Sequence, residues 1–214
     1  MSNPSKGKIW RNISKQIDRL DDRLGMKIDP NIKGVVIGFN ANRLPTKMSC
    51  GGHITKDRER AFPWVYFEAP NEPKYRFGGD KKLMNRLAKK YQIKSSDIFY
   101  QVNKLAAKEY WVAVLKKKIP ETKNYIHWTQ KNKRLEHKVK SCLKAFYAQR
   151  KDKPEVRIEL GPISPGSRIE VLDKYANKWK KNLSEKDFKS KIKESQKEMS
   201  LLADFLKVRF FAGR

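Results

Sequence analysis

From Asn40 to Phe67 the chain reads NANRLPTKMSCGGHITKDRERAFPWVYF, and no other stretch restricts the fold as much. Leu44-Pro45 ends a preceding helix, because the residue before a proline is pushed out of the helical region. Thr46 to Cys50 then reads as a short strand, Gly51-Gly52 as a turn, and Phe62 to Phe67 as a second, half-buried strand. Pro63 near the start of that strand suggests an edge position. The charged run Lys56-Asp57-Arg58-Glu59-Arg60 is the expected loop between the two strands.

Helical spacing dominates the rest. Trp10, Ile13, Ile17, Leu20 and Leu24 form one stripe of a helix from about Lys8 that Gly25 ends. Asp29-Pro30 is a start signal for a second helix that buries Ile32, Val35, Val36 and Phe39. On this helix Gly34 and Gly38 stand four apart and leave room for another backbone. Pro70 to Gly79 reads as a long surface loop with the make-up of a lid. Asp80 is expected to cap a helix to about Tyr91, and Ser96 another to about Lys117 with Ile98, Val102, Leu105 and Leu115 on its apolar side. A further helix, about Gln130 to Arg150, uses Leu135, Val139, Leu143 and Phe146.

After Pro154 the period becomes two. Val156, Ile158 and Leu160 face one way and Arg157 and Glu159 the other; Gly161 to Ser167 turns the chain, and Arg168 to Leu172 returns as a β-hairpin. A last helix from Ser184 to about Phe211 docks its second half through Met199, Leu202, Phe205, Leu206 and Phe210, with its first half solvated.

The sum is an α+β protein, a small antiparallel or mixed sheet covered by helices with a helical insertion in the middle. The expected division is 1–79 for the N-terminal helices and the strand-turn-strand, 80–153 for a basic helical insertion, and 154–214 for the hairpin and last helix that complete the first domain.

Charge points to the partner. Fifty Lys and Arg against 23 Asp and Glu give a formal net charge of +27, far more than solubility requires, so a polyanion is the natural ligand. Nucleic acid comes first, since cations held near phosphates release condensed counterions; an anionic membrane surface comes second. The densest basic region lies between Lys116 and Lys153, and Lys116, Lys117, Lys118, Lys131, Lys133, Arg134, Lys138 and Lys140 are the candidate nucleic-acid contacts. Tyr75, Tyr125 and Trp128 are the aromatic candidates for stacking on unpaired bases, which favours RNA. No apolar segment reads as a signal peptide or a membrane span, and two distant cysteines read as free thiols, so a cytoplasmic location is expected.

Chemistry concentrates at Ser49-Cys50-Gly51-Gly52-His53. A strand followed by a Gly-Gly turn can bring Cys50 and His53 to one side, where the imidazole activates the thiol and bare glycine N–H groups meet an oxyanion. Ser49, Cys50 and His53 are therefore the catalytic candidates, with Asp57 a nearby carboxylate. Cys50-x-x-His53 is also half of a tetrahedral zinc site, but the remaining soft ligands are His127, His137 and Cys142, and the last two are five apart on a helix; no metal site is expected.

The run N-A-N-R-L-P-T-K-M-S-C-G-G-H followed by P-W-V-Y-F resembles an uncharacterised group of bacterial and phage proteins. There a helix ending in Asn leads to Thr-x-x-Ser-Cys-x-Gly-His and then Pro-Trp-Val. More distantly it is similar to the Thr-x-Ser-Ser-Cys-Ser-Gly-Arg segment of the tRNA wybutosine-synthesis methyltransferase family, with His53 standing at that family's Arg and Gly51 at its Ser. The second resemblance implies an α/β fold, S-adenosylmethionine as cofactor and a site of Ser49, Cys50, Gly52 and His53 near tRNA. Three functions follow: an RNA-binding protein with a pocket at the Ser-Cys-x-Gly-His turn, a tRNA-modifying or small-molecule enzyme using Cys50 and His53, or a structural or phage-related interaction protein in which the motif tightens a turn.

Overall fold

The computed structural model describes residues 4–21, 25–55, 60–99, 103–151, 154, 156–163, 166–170 and 183–213. In chain order they form α1 (Pro4–Asp18), α2 (Pro30–Ala41), β1 (Thr46–Cys50), β2 (His53–Ile54), β3 (Arg60–Ala61), β4 (Trp64–Phe67), α3 (Asp80–Tyr91), α4 (Lys104–Lys116), α5 (Lys123–Ala148), β5 (Glu159–Ile163), β6 (Gly166–Glu170) and α6 (Glu185–Ala212). The fold is α+β. Two compact units divide the chain, one of Met1–Pro70 with Asn132–Arg214 and one of Asn71–Lys131, so that α5 crosses from the second into the first. The sequence places the borders of its insertion at 80 and 153.

The first unit is built on a four-stranded antiparallel sheet in the order β1-β4-β6-β5, with β2 and β3 as a separate antiparallel pair. β4 lies between β1 and β6, so Pro63 precedes an interior strand and not an edge one. The missing donor of Pro63 is harmless there because strand pairing begins one residue later, at Trp64. Val65, Phe67 and Ile169, all without exposed surface, join Ile32, Val35 and Phe39 of α2 and Met199, Leu202 and Leu206 of α6 in the main core. Phe39 and Phe67 meet edge to face at 4.8 Å.

Helix α2 packs most extensively against α6, and its glycines are the reason. A methyl group on Gly38 would lie 2.7 Å from Leu206 Cβ, and one on Gly34 3.2 Å from Ala203 Cβ. α2 closes with the Arg43 N–H donating to Asn40 O and the Leu44 N–H to Phe39 O, the Schellman pattern, with Arg43 at φ 60°. α1 ends at Asp18, short of Gly25, with Trp10, Ile13 and Ile17 on the core and Leu20 exposed; residues 22–24, Leu24 among them, lie outside the described residues.

Two further expectations change, one in the hairpin and one in the last helix. Gly161–Ile163 and Gly166–Ser167 are paired strand, not turn, although Val156 and Ile158 are buried and Arg157 and Glu159 exposed as the alternation requires. In α6 the first half is not solvated: Phe188 and Ile192 are buried in a small core with Phe62 and Val156. Its Ser184 cap accepts the Asp187 N–H as expected. Residues 56–59 of the charged loop and 171–182 lie outside the described residues, while Arg60 is strand β3.

In the second unit α3 starts at Asp80, which is its first residue and not its cap. The buried Asp80 carboxylate accepts the Phe77 N–H and the Tyr110 O–H, each at 2.7 Å. α4 starts at Lys104, not Ser96, after a short 3-10 turn at Ser95–Asp97. It buries Ala106, Tyr110 and Val114 and exposes Leu105 and Leu115, because it is apolar on both sides and the larger ring of Tyr110 finds the buried carboxylate. The segment 71–79 is no open lid: Thr122 N–H donates to Arg76 O, Gly78 N–H to Pro120 O, and Arg76 pairs with Glu121.

Candidate functional site

Antiparallel pairing sets Ser49 opposite Val65 and Cys50 opposite Trp64, so the two neighbours point to opposite faces of the sheet. Ser49 is thereby separated from the other two candidates. Cys50 and His53 do meet, with Sγ 3.3 Å from Nδ1. The turn between them is held at three points. Gly51 N–H donates to Asp29 Oδ2 at 2.6 Å, Gly52 N–H reaches Cys50 Sγ at 3.4 Å, and Gln196 Nε2 of α6 donates to Gly51 O at 2.7 Å.

Asp29 therefore spends its carboxylate on the turn and makes no side-chain cap for α2. The glycines are required by contact and conformation. A Cβ on Gly51 would lie 2.7 Å from Asp29 Cβ, and Gly52, at φ 84°, faces Pro63 Cδ at 2.8 Å. Both bare faces are filled by the chain itself, so they do not fit an S-adenosylmethionine approaching over the glycines.

Burial pushes the Cys50 thiol above its ordinary value and the Asp29 carboxylate adds to this, while the Gly52 N–H opposes them. Cys50 is 8% exposed and His53 is exposed. Which of Sγ and Nδ1 donates follows from the imidazole tautomer, and both glycine N–H groups are already engaged. Nucleophilic use would require proton transfer to the imidazole and release of one of those donors. Asp57 lies outside the described residues. Among the described residues no three His, Cys, Asp or Glu converge on a metal position; Cys142 is a buried free thiol pushed up by burial, and His127 and His137 are exposed.

The eight basic candidates are all exposed and divide between the units, Lys116, Lys117, Lys118 and Lys131 in the second, Lys133, Arg134, Lys138 and Lys140 in the first. On α5, burial follows Leu135, Val139, Cys142 and Phe146, a spacing of four, three and four. The solvent side exposes Lys133, Arg134, His137, Lys140 and Lys144, with Lys138 exposed at the edge of the buried stripe, and among the described residues none of these six forms an ion pair.

The stacking candidates differ. Tyr125 and Trp128 are buried, since α5 begins at Lys123 and not near Gln130, which puts both on its inner stripe. Tyr75 is half-buried beneath the Lys74 ammonium, 5.6 Å from its ring. Among the described residues of the second unit the exposed aromatics are Phe99 at 49% and Trp111 at 41%, their rings 6.3 Å apart, with the Arg76 guanidinium 6.0 Å from Trp111. The signal for Trp111 was legible: it shares a row with Lys104, Lys108 and Leu115, opposite the stripe of Ala106, Tyr110 and Val114. No family model matches the chain, and neither a curated protein nor a solved structure matches it.

Proposed function

We propose that this chain binds nucleic acid, RNA with unpaired bases in the first place. The observation that supports this is the solvent side of α5, where among the described residues five Lys and Arg and one His form no ion pair, while the other side of the helix is buried. Cations left unpaired on one face are costly to self-repulsion and are suited to phosphates. An interfacial helix needs a free apolar face to enter a bilayer, and that face of α5 is in the core, which ranks an anionic membrane second. Phe99 and Trp111 supply exposed rings, the second 6.0 Å from the Arg76 guanidinium, and favour unpaired bases over duplex.

Binding of a fluorescent single-stranded RNA of about 12 nucleotides tests the reading. With about five phosphates neutralised, affinity falls roughly 100-fold between about 50 and about 200 mM salt. A change under about threefold removes the argument, and tighter binding to anionic vesicles than to RNA replaces it.

For the Ser-Cys-x-Gly-His turn we favour a fastening role, supported by the engagement of both glycine N–H groups and by the burial of Cys50. Cys50→Ser and His53→Ala then lower stability and leave RNA affinity unchanged. Rapid labelling of Cys50 near neutral pH would restore the enzyme reading.

A further inference from the structure

A second feature of the first unit deepens the nucleic-acid reading and rests on it. Where the end of α2 meets α5 and α6, an open depression of about 440 Å³ is lined by Arg43, His137, Lys138, Ser141, Cys142 and Arg209 among others. Its cations come from three parts of the chain and, among the described residues, no carboxylate lines it. Among the described residues Arg43, Lys138 and Arg209 form no ion pair.

Two of the three walls are tied together. Asn42 Nδ2 donates to Leu206 O at 2.9 Å and to Gly38 O at 2.8 Å, which ties the end of α2 to the helix that bears Arg209. Arg43 itself stands at φ 60° in the position after a helix end that glycine fills at lower cost. The helix end therefore places Arg43 at the rim of the hollow, beside Lys138 and Arg209.

We propose that this hollow holds a phosphate group of the bound strand, with the Arg43 and Arg209 guanidinium groups as forked donors and Lys138 as a third positive charge. Guanidinium suits this role because its planar N–H groups match two phosphate oxygens at once. The volume exceeds a bare phosphate and falls in the range of sites that take a nucleotide-sized group. Ser141 adds a hydroxyl, and His137 a ring nitrogen, at the same rim.

The experiment compares the full chain with Arg43→Gly, Arg209→Gln and Lys140→Gln in binding to the same RNA bearing a 5′-phosphate or a 5′-hydroxyl. Lys140 belongs to the proposed strand-binding side of α5 but does not line the hollow, so its substitution reports the loss of one phosphate contact outside the hollow. Arg43→Gly and Arg209→Gln are expected to weaken binding about tenfold, against about two- to threefold for Lys140→Gln. Arg43→Gly should do so without loss of thermal stability, since glycine accepts that backbone.

A loss confined to the 5′-phosphorylated strand identifies a terminal phosphomonoester, and an equal loss on both identifies an internal phosphodiester; either supports the site. Losses no larger than that of Lys140→Gln overturn it. If the unmodified chain shows no salt-steep RNA binding, the broader reading fails first, whereas salt-steep binding with indifferent arginine variants overturns this inference alone.

Discussion

Gly38→Ala measures how closely α2 and α6 approach, and so how firmly the first unit is held. In an open helix the change would stabilise by about 0.8–1.0 kcal/mol, because alanine has the better helix propensity. Here the new methyl group would stand 2.7 Å from Leu206 Cβ and 3.1 Å from its Cδ1. That is about 1 Å short of the ordinary separation between carbon atoms. A Cβ cannot rotate away, so α6 must retreat, and a clash with two Leu206 atoms falls in the upper part of the overpacking range, about 2–3 kcal/mol. The net expectation is a loss of about 1–2 kcal/mol.

Gly34→Ala supplies the internal comparison. Its methyl would be 3.2 Å from Ala203 Cβ, a shortfall of a few tenths of an ångström, and the propensity gain offsets most of the cost, leaving about zero. Urea unfolding followed by far-UV circular dichroism separates them. With a slope of about 2 kcal/mol/M, Gly38→Ala lowers the midpoint by about 0.5–1 M and Gly34→Ala moves it by less than about 0.2 M. A Gly38→Ala chain as stable as the original, or a larger loss for Gly34→Ala, would refute the close-packed contact and the reason given for both glycines.

Three further outcomes are expected. Arg150→Ala removes the guanidinium 2.5 Å from the buried Glu198 carboxylate, and its stacking near Phe146, while the Tyr147 hydroxyl bond to Glu198 stays; unfolding should show a loss of about 3 kcal/mol, the low end for a broken buried pair, and a loss below about 1 kcal/mol would show that the pair is not buried in solution. Tyr110→Phe deletes the O–H donor to Asp80 in the second unit while the Phe77 N–H stays, for a loss of about 1–2 kcal/mol; calorimetry that leaves the transition unchanged contradicts the bond. Burial raises the thiols of Cys50 and Cys142, so the unfolded chain gives up these protons first. Their contribution is complete below the unfolded thiol value and is lost as pH rises from there through the folded value, so stability falls from about pH 8.5 upward. The fall should be shallower in a Cys50→Ala, Cys142→Ala chain, and equal slopes would count against it.

Local signals proved readable where one residue decides the outcome. Asp29-Pro30 starts α2, Thr46–Cys50 is strand β1, Ser184 caps α6, and Leu135, Val139, Leu143 and Phe146 lie inside α5. Reading failed where two local solutions were equally good. α4 has apolar residues on both sides, and the choice of Tyr110 over Leu105 as the buried one follows from a carboxylate 30 residues earlier, Asp80. The turn was legible as a meeting of Cys50 and His53, but not the use of its N–H groups, because Asp29 and Gln196 come from either end of the unit.

Composition and periodicity were enough to establish a strongly cationic α+β chain, with most helix cores and the strand-turn-strand in place, since charge and side-chain spacing are properties of the chain itself. Packing alone determined which cations stand together. Arg43, Lys138 and Arg209 are far apart in sequence and line one hollow because Gly34 and Gly38 let α6 rest against α2 and Asn42 ties the two ends. Spacing along a chain cannot encode a distance that exists only after helices have docked.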